Sequence, residues 1–173
     1  MAESRFNVLL YLDDSEPAYY AVIYSAMLMM NMPNMHLTVV KLKESSNGLR
    51  ESEDNWLNSG SINLNSDEMQ DVTDIFKIRS VDVRHQVIYC NPNIPDTVDA
   101  LIEFSRKKSI QLIVMGTGEC RTIKNLIFGS LAHNLQLRSS IPVLLVKNFP
   151  EDYLDNYRSK PTLRLFKNDY YER

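Results

Sequence analysis

From Phe6 to Leu12 the chain is an apolar stretch, rich in Val, Leu and Tyr, that stops at Asp13-Asp14-Ser15. It is too short for a helix and reads as a buried strand. Asp13-Asp14-Ser15-Glu16-Pro17 then has the form of a helix start, with small polar caps, an acid in the first turn and proline near the first helical position. Ala18, Val22, Ala26 and Met29, with Ala21 and Ser25 beside them, form one helix face, and Met32-Pro33-Asn34 ends it. His36 to Leu42 predicts a second strand. Residues 43–65 carry no period, are full of Ser, Asn, Glu and Gly around a single Trp56, and read as a flexible insertion loop.

Helical spacing resumes from Asp67 to Arg79 at Met69, Val72, Ile75 and Phe76. A third strand alternates, with Val81, Val83, His85 and Val87 on one face and Asp82, Arg84 and Gln86 on the other, as expected of a sheet edge. Asn91-Pro92-Asn93-Ile94-Pro95 reads as a turn. The next helix has Val98, Leu101 and Ile102 on one side and ends in Arg106-Lys107-Lys108, which suits the negative helix terminus. Ile110 to Met115 is nearly unbroken aliphatic, the signature of a central parallel strand. A loop with two glycines leads to a helix over Ser130 to Leu137, marked by Leu131 and Leu135. Ile141 to Val146 closes the series, its Pro142 tolerated only at a strand start or edge. Strands alternating with helices imply right-handed crossovers and an open, doubly wound parallel α/β sheet.

Composition narrows the function. With 173 residues the chain suits one domain and a tail, and 44% hydrophobic residues supply a real core. The formal net charge of -3 argues against a nucleic-acid surface. No apolar run approaches the roughly 18–20 residues that cross a bilayer, and the first residues lack the form of a signal peptide. Cys90 and Cys120 form no CxxC pair, so a reducing, cytoplasmic setting is expected. The domain is expected over 1–147. The 148–173 tail is broken by Pro150 and Pro161 and carries Tyr153, Tyr157, Tyr170 and Tyr171 among charges.

In doubly wound sheets ligands sit at the carboxyl ends of the strands, at the topological switch point. The loops after the first and fourth strands therefore hold the candidate chemistry. Gly129-Ser130 at a helix start would offer free backbone N–H groups, a hydroxyl and the positive end of the macrodipole, a phosphate-binding arrangement. Gly116 would let the backbone leave the strand sharply and approach a ligand. Asp13 would accept hydrogen bonds from ribose hydroxyls or an adenine amino group. Each has a plain alternative: Asp13, Asp14 and Ser15 as helix caps, Gly116 and Gly118 as a turn, Gly129-Ser130 as a simple helix start. His36, His85 and His133 lack the spacing of metal ligands, and an ordinary thiol is the first reading of Cys120. The cluster Met27, Met29, Met30, Met32 and Met35 reads as core and helix-end packing.

These segments together resemble the universal stress protein family, from about Phe6 to Lys147. The family's first strand ends in Val-Asp-(Gly or Asp)-Ser-Glu, and here Leu12-Asp13-Asp14-Ser15-Glu16 stands there. Its ATP-binding members carry Gly, two residues, Gly, nine residues, Gly and then Ser or Thr after a strand like Leu-Ile-Val-Met. Leu112-Ile113-Val114-Met115-Gly116 and Gly129-Ser130 are similar in place, as are Asn91-Pro92 and the closing Ile141-Pro142-Val143-Leu144-Leu145-Val146. The resemblance implies a five-stranded parallel sheet of order 3-2-1-4-5, a homodimer formed partly through the last strand, and a stress-response or regulatory role without defined catalysis. It implies ATP, with magnesium, as the ligand: Asp13 at adenine or ribose, Val40 beside the base, and Gly116, Gly129, Ser130 and Leu131 at the ribose and phosphates. Where the family has its second glycine this chain has Glu119, which lacks glycine's freedom at positive φ and brings negative charge toward the phosphates, although Gly118 could serve if the loop is repacked by one residue and Arg121 or Lys124 could offset the charge. The alternative is accordingly a dimeric interaction module of the same fold that has lost its nucleotide, with an unknown partner protein.

Two other classes are set aside. A phosphoacceptor receiver domain needs an aspartate at the end of the third strand, where Tyr89-Cys90-Asn91 stands. The Walker A, GxSxG, HExxH and dinucleotide fingerprints of common enzymes do not occur.

Overall fold

The central strand of the sheet is β1, Phe6–Leu12, with Val8, Leu9 and Leu10 wholly out of solvent. The computed structural model describes residues 5–13, 15–44, 83–117 and 123–148. The further elements are α1 (Glu16–Asn31), β2 (Met35–Glu44), β3 (Val83–Cys90), α2 (Ile94–Lys107), β4 (Leu112–Gly116), α3 (Ile123–Arg138) and β5 (Val143–Val146). All strand pairs are parallel, in the order β3-β2-β1-β4-β5. The sheet is thus the open, doubly wound α/β sheet of order 3-2-1-4-5 that the sequence led us to expect. The helix expected over Asp67 to Arg79, the insertion loop from residue 45 on, Glu119 and Cys120, and the tail from residue 149 lie outside the described residues.

The period of two along β1 divides the core. Val8, Leu10 and Leu12 belong to the cluster under α1, while Leu9 and Tyr11 belong to the cluster under α2 and α3. Each fully buried aliphatic side chain contributes about 1.5–3 kcal/mol. α1 turns Ala18, Ala21, Val22, Ser25 and Ala26 inward, all at or near zero exposure. These small side chains let the helix backbone lie close to the sheet. Its start is fixed by Ser15, whose Oγ accepts from the Ala18 N–H at 3.2 Å, and by Pro17 in the first turn.

On the other face, α2 buries Val98, Leu101 and Phe104, and Arg138 of α3 pairs with Asp99 of α2. α2 ends in a Schellman turn. Ile110 donates to the Ser105 carbonyl at 2.8 Å and Ser109 to the Arg106 carbonyl at 3.2 Å, with Ser109 at φ 51°.

β3 and β5 are the sheet edges, as their polar alternation and Pro142 suggested. Several bounds differ from the sequence reading. β2 continues through Lys43 and Glu44, which pair with Tyr89 and Cys90. Pro95 stands in the first turn of α2 and not in the turn before it, because Asn93 is already the N-cap.

Candidate functional site

The register Tyr11 opposite Met115 brings the carboxyl ends of β1 and β4 side by side, so the bends at Asp13 and Thr117 meet at one end of the sheet. β2 and β4 flank β1 on opposite sides, and this is the switch point of the topology. Thr117, buried, ties the exit of β4 to the end of β5 by donating its N–H to the Val146 carbonyl at 2.8 Å.

A cavity of about 460 Å³ opens at this same end, toward the α2 and α3 face. The strand ends contribute Tyr11 from β1, Leu42, Lys43 and Glu44 from β2 and Cys90 from β3. Pro92 and Asn93 line it from the loop, Ile94 and Thr97 from the start of α2, and Leu131 from α3. Its lining among the described residues is mainly apolar, with a few polar groups at the rim, the usual character of a small-molecule site.

The polar wall is built by the start of α2. Asn93 Oδ1 accepts from the Asp96 N–H at 2.9 Å, and the Asn93 carbonyl accepts from the Thr97 N–H at 3.0 Å. The Asp96 carboxylate accepts from the side-chain amides of Asn91 at 2.7 Å and Asn93 at 2.9 Å. Cys90 Sγ lies 3.8 Å from the Thr97 hydroxyl. Burial pushes the Cys90 thiol up from its ordinary range; the Thr97 hydrogen bond pulls the other way, and the Asp96 charge pushes it further up.

Of the six residues singled out in the sequence, Leu131 lines this cavity. Val40 is 0% exposed and packs into the core two residues before Leu42 on the same strand face. Asp13, half-buried, turns Oδ1 back to accept from the Ser15 N–H at 2.9 Å, holding the entry to α1. Gly116 faces α1: a Cβ there would meet the Pro17 carbonyl carbon at 2.2 Å and the Ala18 nitrogen at 2.3 Å. Its close approach is to the backbone of α1.

At Gly129 and Ser130 the helix start differs from the sequence reading. α3 begins at Ile123, so both lie inside the helix and not at its start. The backbone N–H groups at such positions are directed at carbonyls four residues earlier, and the free ones belong to the first turn. The Ser130 carbonyl additionally accepts from the Asn134 side chain at 2.8 Å.

The sequence reading missed Tyr11, Leu42, Asn93 and Thr97 as cavity residues. Their shared signal is position, since Tyr11, Leu42 and Asn93 stand at or just beyond the carboxyl ends of strands and Thr97 in the first turn of the helix that follows β3. Among the described residues no group of three or more His, Cys, Asp or Glu is arranged to hold a metal, and no helix is long and apolar enough to cross a membrane.

Comparison with known proteins adds the family. A segment 40% identical over 52 residues is shared with the stress response protein NhaX of Bacillus subtilis; it covers 30% of this chain and 31% of that protein. The fold is similar to that of a universal stress protein solved in complex with cAMP, at 20% identity and a TM-score of 0.56, over 83% of this chain and 98% of that one. It is also similar to the universal stress protein of Archaeoglobus fulgidus in complex with dAMP, at 16% identity and a TM-score of 0.52, over 83% of this chain and 98% of that one. The family model for universal stress proteins matches residues 5–147, which include every described strand and helix, and the chain belongs to the universal stress protein family.

Proposed function

We propose that this chain is a regulatory module that takes the nucleoside part of an adenine nucleotide in the cavity at the carboxyl ends of β1, β2 and β3. The observation that carries this reading is the cavity itself. Its volume of about 460 Å³ lies within the roughly 300–1,000 Å³ of small-molecule sites. Tyr11, Leu42 and Leu131 supply apolar surface for a purine, and Thr97 and Asn93 supply polar contacts at one wall. Two proteins of the same fold were solved with adenine nucleotides, each bearing a single phosphate.

In this reading Leu131 contacts the purine, and not the ribose and phosphates at which the resemblance put it. Val40 supports Leu42 from beneath, Gly116 seats α1 against the sheet, and Asp13 holds the bend that joins them. The domain extends over 1–147 with 148–173 as a tail, its setting is the cytoplasm, and no residue is assigned a catalytic role. β5, at the edge of the sheet, is the strand through which two copies would pair, and sedimentation of a β5 variant such as Leu144→Lys against the parent chain tests that pairing.

Thermal unfolding with added AMP or cAMP tests the reading. A ligand at 100 times its dissociation constant adds about 2.7 kcal/mol of stability and raises the melting temperature. Thr97→Trp, which places a large ring at the cavity wall, removes the shift. A flat melting temperature at millimolar concentrations of every adenine nucleotide overturns the proposal. That result would favour a second reading, an interaction module that has lost its ligand, for which the position of Gly129 and Ser130 inside α3 speaks.

A further inference from the structure

We infer that the cavity selects nucleosides and singly phosphorylated nucleotides against polyphosphates, so that ATP is a poor ligand. This rests on the reading that an adenine nucleotide occupies the cavity, and it concerns which one. A triphosphate carries several negative charges and needs cations or free N–H groups to replace its water. The described residues around the cavity meet that need badly.

The two charged side chains among the described residues that line the cavity, Lys43 and Glu44, have opposite sign and stand next to each other at the exposed end of β2. The start of α2 would be the natural anion seat, but the chain has filled it from within. Asn93 satisfies the Asp96 and Thr97 N–H groups, and the Asp96 carboxylate stands at this positive helix end, held by the side-chain amides of Asn91 and Asn93. A phosphate at this wall would have to approach an internal carboxylate. That carboxylate acts on the cavity already, since it adds to the upward push on the Cys90 thiol, a lining group. On the α3 side, Gly129 and Ser130 lie inside the helix, where their N–H groups serve the helix itself. The purine and ribose therefore provide the affinity, and among the described residues a phosphate at the α2 wall meets the Asp96 carboxylate without a matching donor there.

Calorimetric titration of the full chain with adenosine, AMP, ADP and ATP at low salt, with and without magnesium, tests this. Affinity should fall along the series, with ATP at least about tenfold weaker than adenosine, and the spread should narrow as salt is raised. Asp96→Asn and Glu44→Gln should each bring ATP closer to adenosine. Asn93 remains the N-cap of α2 in the Asp96→Asn variant, and Glu44 is exposed, so both variants retain the fold. ATP binding as tightly as adenosine or tighter, or a spread that neither variant changes, overturns the inference while leaving the cavity as the nucleotide site. Absence of binding by all four compounds removes the underlying reading, and the inference with it.

Discussion

Gly116 of β4 lies against Pro17 of α1 so closely that a single added methyl would stand 2.2 Å from the proline carbonyl carbon. No side-chain rotation relieves such a contact, because both partners are backbone. Gly116→Ala must move α1 or β4, and overpacking of this kind costs typically 1–3 kcal/mol, here about 3 kcal/mol or more. Chemical denaturation should show this loss with the slope of the transition unchanged. A change of under about 0.5 kcal/mol would mean that α1 does not sit where described.

Ser109 ends α2 in the left-handed region at φ 51°, a conformation that favours glycine. Ser109→Gly relieves that cost and loses part of it again through the freer unfolded chain, for a net gain of about 0.5–1 kcal/mol. The expected reading is a melting temperature higher by about 1–4 °C.

Cys90 reports on both the cavity and Asp96. Its thiol is held up first by burial, with the Asp96 charge adding to the effect. In a Cys120→Ser background, labelling by a thiol reagent at pH 8 should be slower than for a free thiol and should accelerate as pH rises. Asp96→Asn should speed it, and a saturating nucleoside should slow it by covering the cavity. Labelling indifferent to the nucleoside would place the ligand elsewhere.

His85, on β3, has its imidazole pKa lowered from the ordinary 6.5 by burial. The unfolded imidazole then binds its proton at a higher pH than the folded one, and protonation favours unfolding. This contribution to stability is complete above pH 6.5 and is lost as the pH falls through that value toward the lower folded pKa. His85→Gln should flatten the fall in stability between about pH 7 and pH 5, measured against the parent chain by urea unfolding.

The sheet was legible because its signals are local. β1 runs from Phe6 to Leu12 as read, since a buried parallel strand is a continuous apolar run bounded by cap residues. Ser15 and Pro17 marked the start of α1, and Pro142 the start of an edge strand. The start of α3 was not legible. Gly129 looked like a boundary, whereas a glycine inside a helix costs only about 1 kcal/mol and packing readily offsets it. The end of β2 was missed because Lys43 and Glu44 are exposed and break the apolar pattern, although their backbones still pair with β3.

The cavity was the least legible feature. Tyr11, Leu42, Thr97 and Leu131 come from four separate elements, and each looks like an ordinary core or cap residue within its own segment. Asn93 and Asp96 have the residue types of any helix start, and only the fold shows that this one borders a cavity. Gly116 was recognised as a position of close approach, but the sequence could not say that the approaching group is α1.

A crystal structure of the full chain grown with AMP tests the account most directly. It should show the purine in the cavity, against Leu42, Thr97 and Leu131, with its phosphate directed away from Asp96. A nucleotide seated instead over Asp13 and Gly116, with that cavity left to water, would contradict it.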